Sequence, residues 1–238
     1  MCICMCINAR ARACVYVCVC VCVCVKRTYL TVQLIMEALR AAGKLEELTH
    51  EMDRYRRNIL GLCEMRWKNS GETTTEEGHK VLFRGKEGKH KHGVGFLGHK
   101  DIVNTVMACR PVSSRLITIR LRAVSFNITV GEVYTSTSDY DDNEIELFYD
   151  QLQNVIDQTP KKDIPVVQGD WNTKVGKYAC GNWQGICGPF CNNDTNERGL
   201  RLLEFATFND LVLTNTFGHH KTSSLTINAC KMYGTHLM

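Results

Sequence analysis

The chain has 238 residues, enough for one large domain or two small ones. Hydrophobic residues make up 44% and charged residues 23%, which excludes a largely disordered or fibrous chain. With 29 Lys and Arg against 25 Asp and Glu, the net charge of +4 does not by itself imply a nucleic-acid partner.

The chain begins with a biased tract. Residues 9–13 read ARARA and residues 17–25 read VCVCVCVCV. In the genetic code GTGTGT reads Val-Cys and GCGCGC reads Ala-Arg, so residues 1–30 are expected to be a translated dinucleotide repeat, unstructured or foreign to the native fold. The apolar run 13–25 is shorter than the ~20 residues that span a bilayer, so no membrane partner is expected. Arg10 and Arg12 before it imitate a signal peptide, but no clear small-residue cleavage site follows. Period-two Cys/Val also suits a sticky β-strand. Eight of the 14 cysteines lie in this tract. The other six are too sparse for a secreted disulfide scaffold, so the main body is expected to be reduced and intracellular, with nucleus and cytoplasm both open.

Residues 33–56 carry helical periodicity. Leu34, Ile35, Ala38 and Leu39 share a face, Gly43 interrupts, and Leu45, Leu48 and Met52 recur at spacings of three and four. Residues 58–65 form a mostly apolar run, the pattern of a buried strand. Residues 66–78 are polar and read as a loop. Strands are expected at 80–84, 93–97, 114–122 and 126–134. Clean alternation from Leu116 to Arg120 buries one face. Residues 145–156 read as an amphipathic helix and 163–168 as a short buried strand. Residues 195–208 read as a helix capped by Asp194 or Asn196, and another strand begins at Leu211. Helices between runs of strands indicate a mixed α/β or α+β domain. No linker splits residues 31–222, and residues 223–238 read as a divergent tail.

Charge is uneven. From Lys80 to Arg122 there are ten Lys and Arg against two acidic residues, and from Glu132 to Asp157 eight acidic residues and no Lys or Arg. A phosphate-binding rim beside a cation site would have this pattern, and so would solvated strand and helix faces.

Several motifs carry candidate chemistry. Gly93-Val-Gly95-Phe-Leu-Gly98 matches GxGxxG, but charged residues precede it and no clean helix follows, so it reads as a glycine-containing strand. Cys180, Cys187 and Cys191 with His219 or His220 do not have knuckle spacing and read as reduced loop cysteines. Gly169-Asp170-Trp171-Asn172 follows a buried run, and a strand end delivers side chains to a cleft. Asp170 there could act as a general base or ligate Mg²⁺, and Asn172 could bind a phosphate oxygen. An ordinary Asp/Asn turn is the alternative. Glu64 also ends an apolar run, and such a carboxylate needs a partner: a hard metal ion or a base such as Arg66.

Leu62-Cys63-Glu64-Met65-Arg66, Val133-Tyr134-Thr135-Ser136-Thr137 and Gly169-Asp170-Trp171-Asn172 occur in that order. Together they resemble successive motifs of the endonuclease/exonuclease/phosphatase superfamily. More closely, residues 43–222 resemble the craniofacial development protein 2-like sequences, which are related to the endonuclease of LINE retrotransposons. The resemblance implies a four-layered α/β sandwich, two mixed β-sheets flanked by helices, incomplete at both ends. It also implies an Mg²⁺-dependent phosphodiesterase acting on nucleic acid, with DNA as the expected substrate. In that reading Glu64 ligates Mg²⁺, Tyr134 contacts the scissile phosphate, Asp170 orients or deprotonates water, and Asn172 holds a phosphate oxygen. Three departures point to an inactive or nearly inactive site. The family's first strand carries an Asn where this chain has residues 33–41 without one. The family's C-terminal Asp and Ser-Asp-His motifs are missing. Thr135-Ser136 replaces the usual Ala-Pro after Tyr134.

Overall fold

The structure, a computed structural model, describes residues 2–7, 31–35, 44–54, 57–135, 142–191 and 194–217. In chain order these form β1 (Cys2–Ile7), β2 (Thr31–Ile35), α1 (Lys44–Arg54), β3 (Ile59–Cys63), β4 (Ser70–Thr74), β5 (Lys80–Arg84) and β6 (Val94–Gly98). A 3-10 turn, Lys100–Thr105, leads to β7 (Val106–Ser113), β8 (Leu116–Leu121), β9 (Ile128–Tyr134), α2 (Asp142–Gln158) and β10 (Ile164–Asp170). The short α3 (Lys177–Asn182), α4 (Glu197–Phe208) and β11 (Leu211–Leu213) follow.

The strands make two open sheets, ordered β11-β1-β10-β9-β8-β7 and β2-β3-β6-β5-β4. Pairs β9–β10 and β2–β3 are parallel, and the remaining ladders are antiparallel. Alternation along β3 explains the layering. Leu60 and Leu62 point to one side and pack with Leu48 and Met52 of α1. Ile59 and Cys63 point to the other and pack with Ile119, Val130 and Tyr134 of the larger sheet. The far face of the larger sheet, with Leu116, Val133 and Val167, is covered by Phe148 and Leu152 of α2 and Leu202 and Leu203 of α4. The result is the expected four-layered α/β sandwich: helix, sheet, sheet, helices. Asn196 caps α4, its side chain accepting from the backbone N–H of Gly199.

Five expectations need correction. Residues 31–35 are a strand, not part of a helix; Thr31, Val32 and Ile35 are β-branched and pair in parallel with β3, while Lys44–Arg54 is helical as expected and residues 36–43 lie outside the described residues. The loop expected at 66–78 contains β4, which lacks an apolar signature because every residue of this edge strand is exposed. β7 escaped notice because it is an edge strand with Pro111 and two register shifts. Of the tract expected to be unstructured or foreign to the native fold, residues 2–7 form β1, paired on both sides, with Met5 opposite Val167 of β10 and Leu213 of β11, and residues 8–30 lie outside the described residues. Its alternation has the period of a strand whatever its origin. Finally, Cys187 is disulfide-bonded, so the expectation of reduced cysteines fails there, whereas Cys63, Cys109 and Cys191 form no disulfide. The glycine motif is the buried strand β6, as expected. A Cβ at Gly95 would come within 2.6 Å of Leu82 O, so that glycine allows β5 and β6 to pack. His219, His220 and the tail from 223 lie outside the described residues. Among the described residues no helix is long and apolar enough to cross a membrane.

Candidate active site at the strand ends

β9 and β10 run parallel and end together, Tyr134 beside Asp170. β3 ends against them across the seam between the sheets. The four residues singled out from the sequence are therefore collected at one end of the sandwich.

Glu64 stands just past β3 with φ 56°, a left-handed conformation that costs a non-glycine residue about 1 kcal/mol. It is held there because the next two residues are tied to the β5–β6 hairpin, Met65 N to Gly93 O at 3.2 Å and Arg66 N to His92 O at 2.7 Å. The Tyr134 hydroxyl donates to Glu64 Oε1 at 2.5 Å. Glu64 Oε2 lies 3.7 Å from the Arg66 guanidinium, so the salt bridge foreseen as the alternative partner is also present. Burial, then the bond donated to Glu64, push the Tyr134 phenol well above its ordinary range, so it stays a neutral donor.

Asp170 is 5% exposed, and burial raises its pKa. Its Oδ1 accepts the Asn172 N–H at 3.1 Å, an Asx turn. Asn172 has φ 44°, and its Nδ2 donates to Thr135 O at 2.8 Å, which leaves a second amide hydrogen for another acceptor. Thr135 N in turn donates to Asp170 O at 2.8 Å, so the ends of β9 and β10 are laced together. Gly169, with φ 148°, makes this close pairing possible. A Cβ there would sit 1.9 Å from Val133 O.

Beneath these residues lies a polar layer missed in the sequence. Glu132 is fully buried, accepting from Gln168 Nε2 at 2.8 Å and from the Cys63 thiol at 3.2 Å. Burial raises Glu132 to about 8, against the two accepted bonds. Burial, and then the charge of Glu132, raise the Cys63 thiol. The available signal was a carboxylate inside the otherwise uncharged run Ile128–Tyr134, on the same face as Val130.

Above the site stands the β5–β6 hairpin, with Lys86, Lys89 and Lys91 exposed at its tip. His90 Nδ1 and Arg66 O are 2.9 Å apart, and the His92 ring packs 6.0 Å from that of Tyr134. Burial, followed by the charge of Arg115, lowers His92 to about 4. A pocket on the helix side is lined by Trp171, Thr135, Thr173, Phe148, Arg198 and Arg201. In the cysteine cluster, the Cys191 thiol donates to Gly188 O at 3.6 Å, and the Cys180 side chain lies outside the described residues.

No protein-family model matches the chain. It is 36% identical over 174 residues to craniofacial development protein 2 of Bos taurus, a match covering 73% of this chain and 29% of that protein. The protein of the same name from Tragulus javanicus is 35% identical over 174 residues, covering 73% and 30%. The chain thus spans less than a third of the length of these curated relatives. Among solved structures it superposes on the AP endonuclease LMAP from Leishmania major with a TM-score of 0.51 at 12% identity, covering 74% of this chain and 65% of that one. The catalytic domain of Xenopus laevis APE2 superposes with a TM-score of 0.49 at 16% identity, covering 74% and 67%.

Proposed function

The chain is homologous to craniofacial development protein 2 and has the fold of the endonuclease/exonuclease/phosphatase superfamily, and from these premises we propose that its strand-end site is a phosphodiesterase site for DNA, of strongly reduced rate. The observation that carries the proposal is the convergence of Glu64, Tyr134, Asp170 and Asn172, with the Tyr134 hydroxyl bonded to Glu64.

Each residue has a role its surroundings suit. Asp170 is buried with a raised pKa, which makes its carboxylate a stronger base toward water. Asn172 can turn its second amide hydrogen to a phosphate oxygen, and Tyr134 is a neutral hydroxyl beside it that would contact the phosphate once its hydrogen is released from Glu64. The donor set fits Mg²⁺: Glu64 offers carboxylate oxygens and is 20% exposed. When bound there, Mg²⁺ would neutralise charge developing on the phosphate. Arg66 competes for the same carboxylate, and Thr135-Ser136 stand where the superfamily carries Ala-Pro after the tyrosine, so a reduced rate is expected. Descent from a retrotransposon endonuclease is part of the same proposal.

A second reading, nucleic-acid binding without cleavage, is favoured by the exposed Lys86, Lys89 and Lys91 at the mouth of the site. Nicking of supercoiled plasmid by the full chain, in Mg²⁺ and in chelator, separates the two readings. Slow Mg²⁺-dependent nicking that Asp170→Ala abolishes is expected. Nicking that survives Asp170→Ala would point to a contaminant, and no nicking by a chain that still retards DNA would leave the binding module.

A further inference from the structure

A second cluster of ligating side chains stands at the opposite end of β3. Ile59 of β3 pairs with Gly98 of β6, and Gly98 pairs with Lys80 of β5. His99 and His79 flank these paired residues, and Asp53 lies in the last turn of α1. His99 Nε2 is 2.9 Å from Asp53 Oδ1, and the two imidazole rings pack edge to face with centroids 4.8 Å apart. One nitrogen of each ring and one Asp53 oxygen all lie within 4.8 Å of one another.

His79 supplies the second observation. Its side chain is fully buried, and its Nδ1 accepts a long hydrogen bond from Lys100 N at 3.3 Å. Its Nε2 has no hydrogen-bond partner; Glu77 Oε2 is 3.3 Å away but not aligned for one. A fully buried ring nitrogen without a hydrogen bond is unusual in a folded protein.

We propose that Asp53, His79 and His99 bind a divalent transition-metal ion of the Zn²⁺ class. Two imidazoles and a carboxylate are a Zn²⁺ donor set, whereas Mg²⁺ and Ca²⁺ take oxygen. Asp53 is 48% exposed, which leaves an entry path and room for water in the remaining coordination position. The three ligands come from α1, the turn before β5 and the end of β6, so the ion clips the outer helix to its sheet. Bound only by the folded chain, it raises stability by mass action. The site is separated from Glu64 by the length of β3, roughly 13 Å, and does not depend on the proposed nuclease reading.

The test titrates the reduced full chain with Zn²⁺ by calorimetry and with Co²⁺ by visible absorption, following the melting temperature in parallel. Binding of a single ion is expected, with a higher melting temperature and a Co²⁺ spectrum of nitrogen and oxygen ligation. Asp53→Asn and His99→Gln, both at positions with solvent access, weaken binding by about tenfold or more while melting cooperatively without metal. Glu64→Gln leaves binding unchanged. Because the chain has 14 cysteines, the Co²⁺ spectrum is decisive. No binding, or a thiolate charge-transfer spectrum that neither variant alters, overturns the proposal.

Discussion

Glu132 shows how a single side chain ties the site to the stability of the fold. Burial raises its pKa to about 8 from an ordinary value near 4.5, so between these values the folded chain holds a proton that the unfolded chain releases. Its contribution to stability therefore falls as pH rises from about 4.5 to 8 and levels off above that. Glu132→Gln keeps the shape and both neighbours but removes the ionisation. The variant is expected to lack this part of the pH dependence and to melt above the parent at pH 9, measured by thermal denaturation across pH. Gly61 belongs to the same arrangement, since a Cβ there would lie 1.9 Å from Glu132 Oε2. Glu64, Asp170 and Asn172 were legible in the sequence because each follows an apolar strand and must find a partner at its end. Glu132 and Gln168 were not. In a strand covered on both faces, a polar residue at an inward position looks like ordinary alternation until the second sheet is known.

At the scale of elements, central strands were legible and edge strands were not. β3, β8 and β9 announce themselves by burial, whereas β4 is exposed throughout and β7 is broken by bulges. The placement of β1 could not be read at all, because the partners of a strand are long-range and a repeat has no distinctive register. The structure inserts it between β10 and β11, so its backbone bonds hold β11 in the sheet. Met5→Pro removes one of its ladder donors and is expected to lower the melting temperature. Amide exchange at Leu211–Leu213 should accelerate more than exchange in β8, as hydrogen-exchange mass spectrometry would resolve. Equal protection in variant and parent would remove β1 from the sheet.

Across the whole molecule, a net charge of +4 understates how positive charge is placed. The basic hairpin overhangs the carboxylates of the site, while the acidic α2 packs on the other side of the larger sheet. If the hairpin meets the phosphate backbone, affinity for duplex DNA falls with salt, and each phosphate contact contributes a slope of about −0.9 in log K against log salt. Replacing Lys86, Lys89 and Lys91 together by Gln should make that slope shallower by about 2 to 3. An unchanged slope would locate the contact surface elsewhere. The alternating composition of β1 has a consequence for pairing. Cys stands at every second position from Cys2 to Cys6, and two residues are one full period of a strand, so a slip of two residues would set the same residue type on the same face of the sheet.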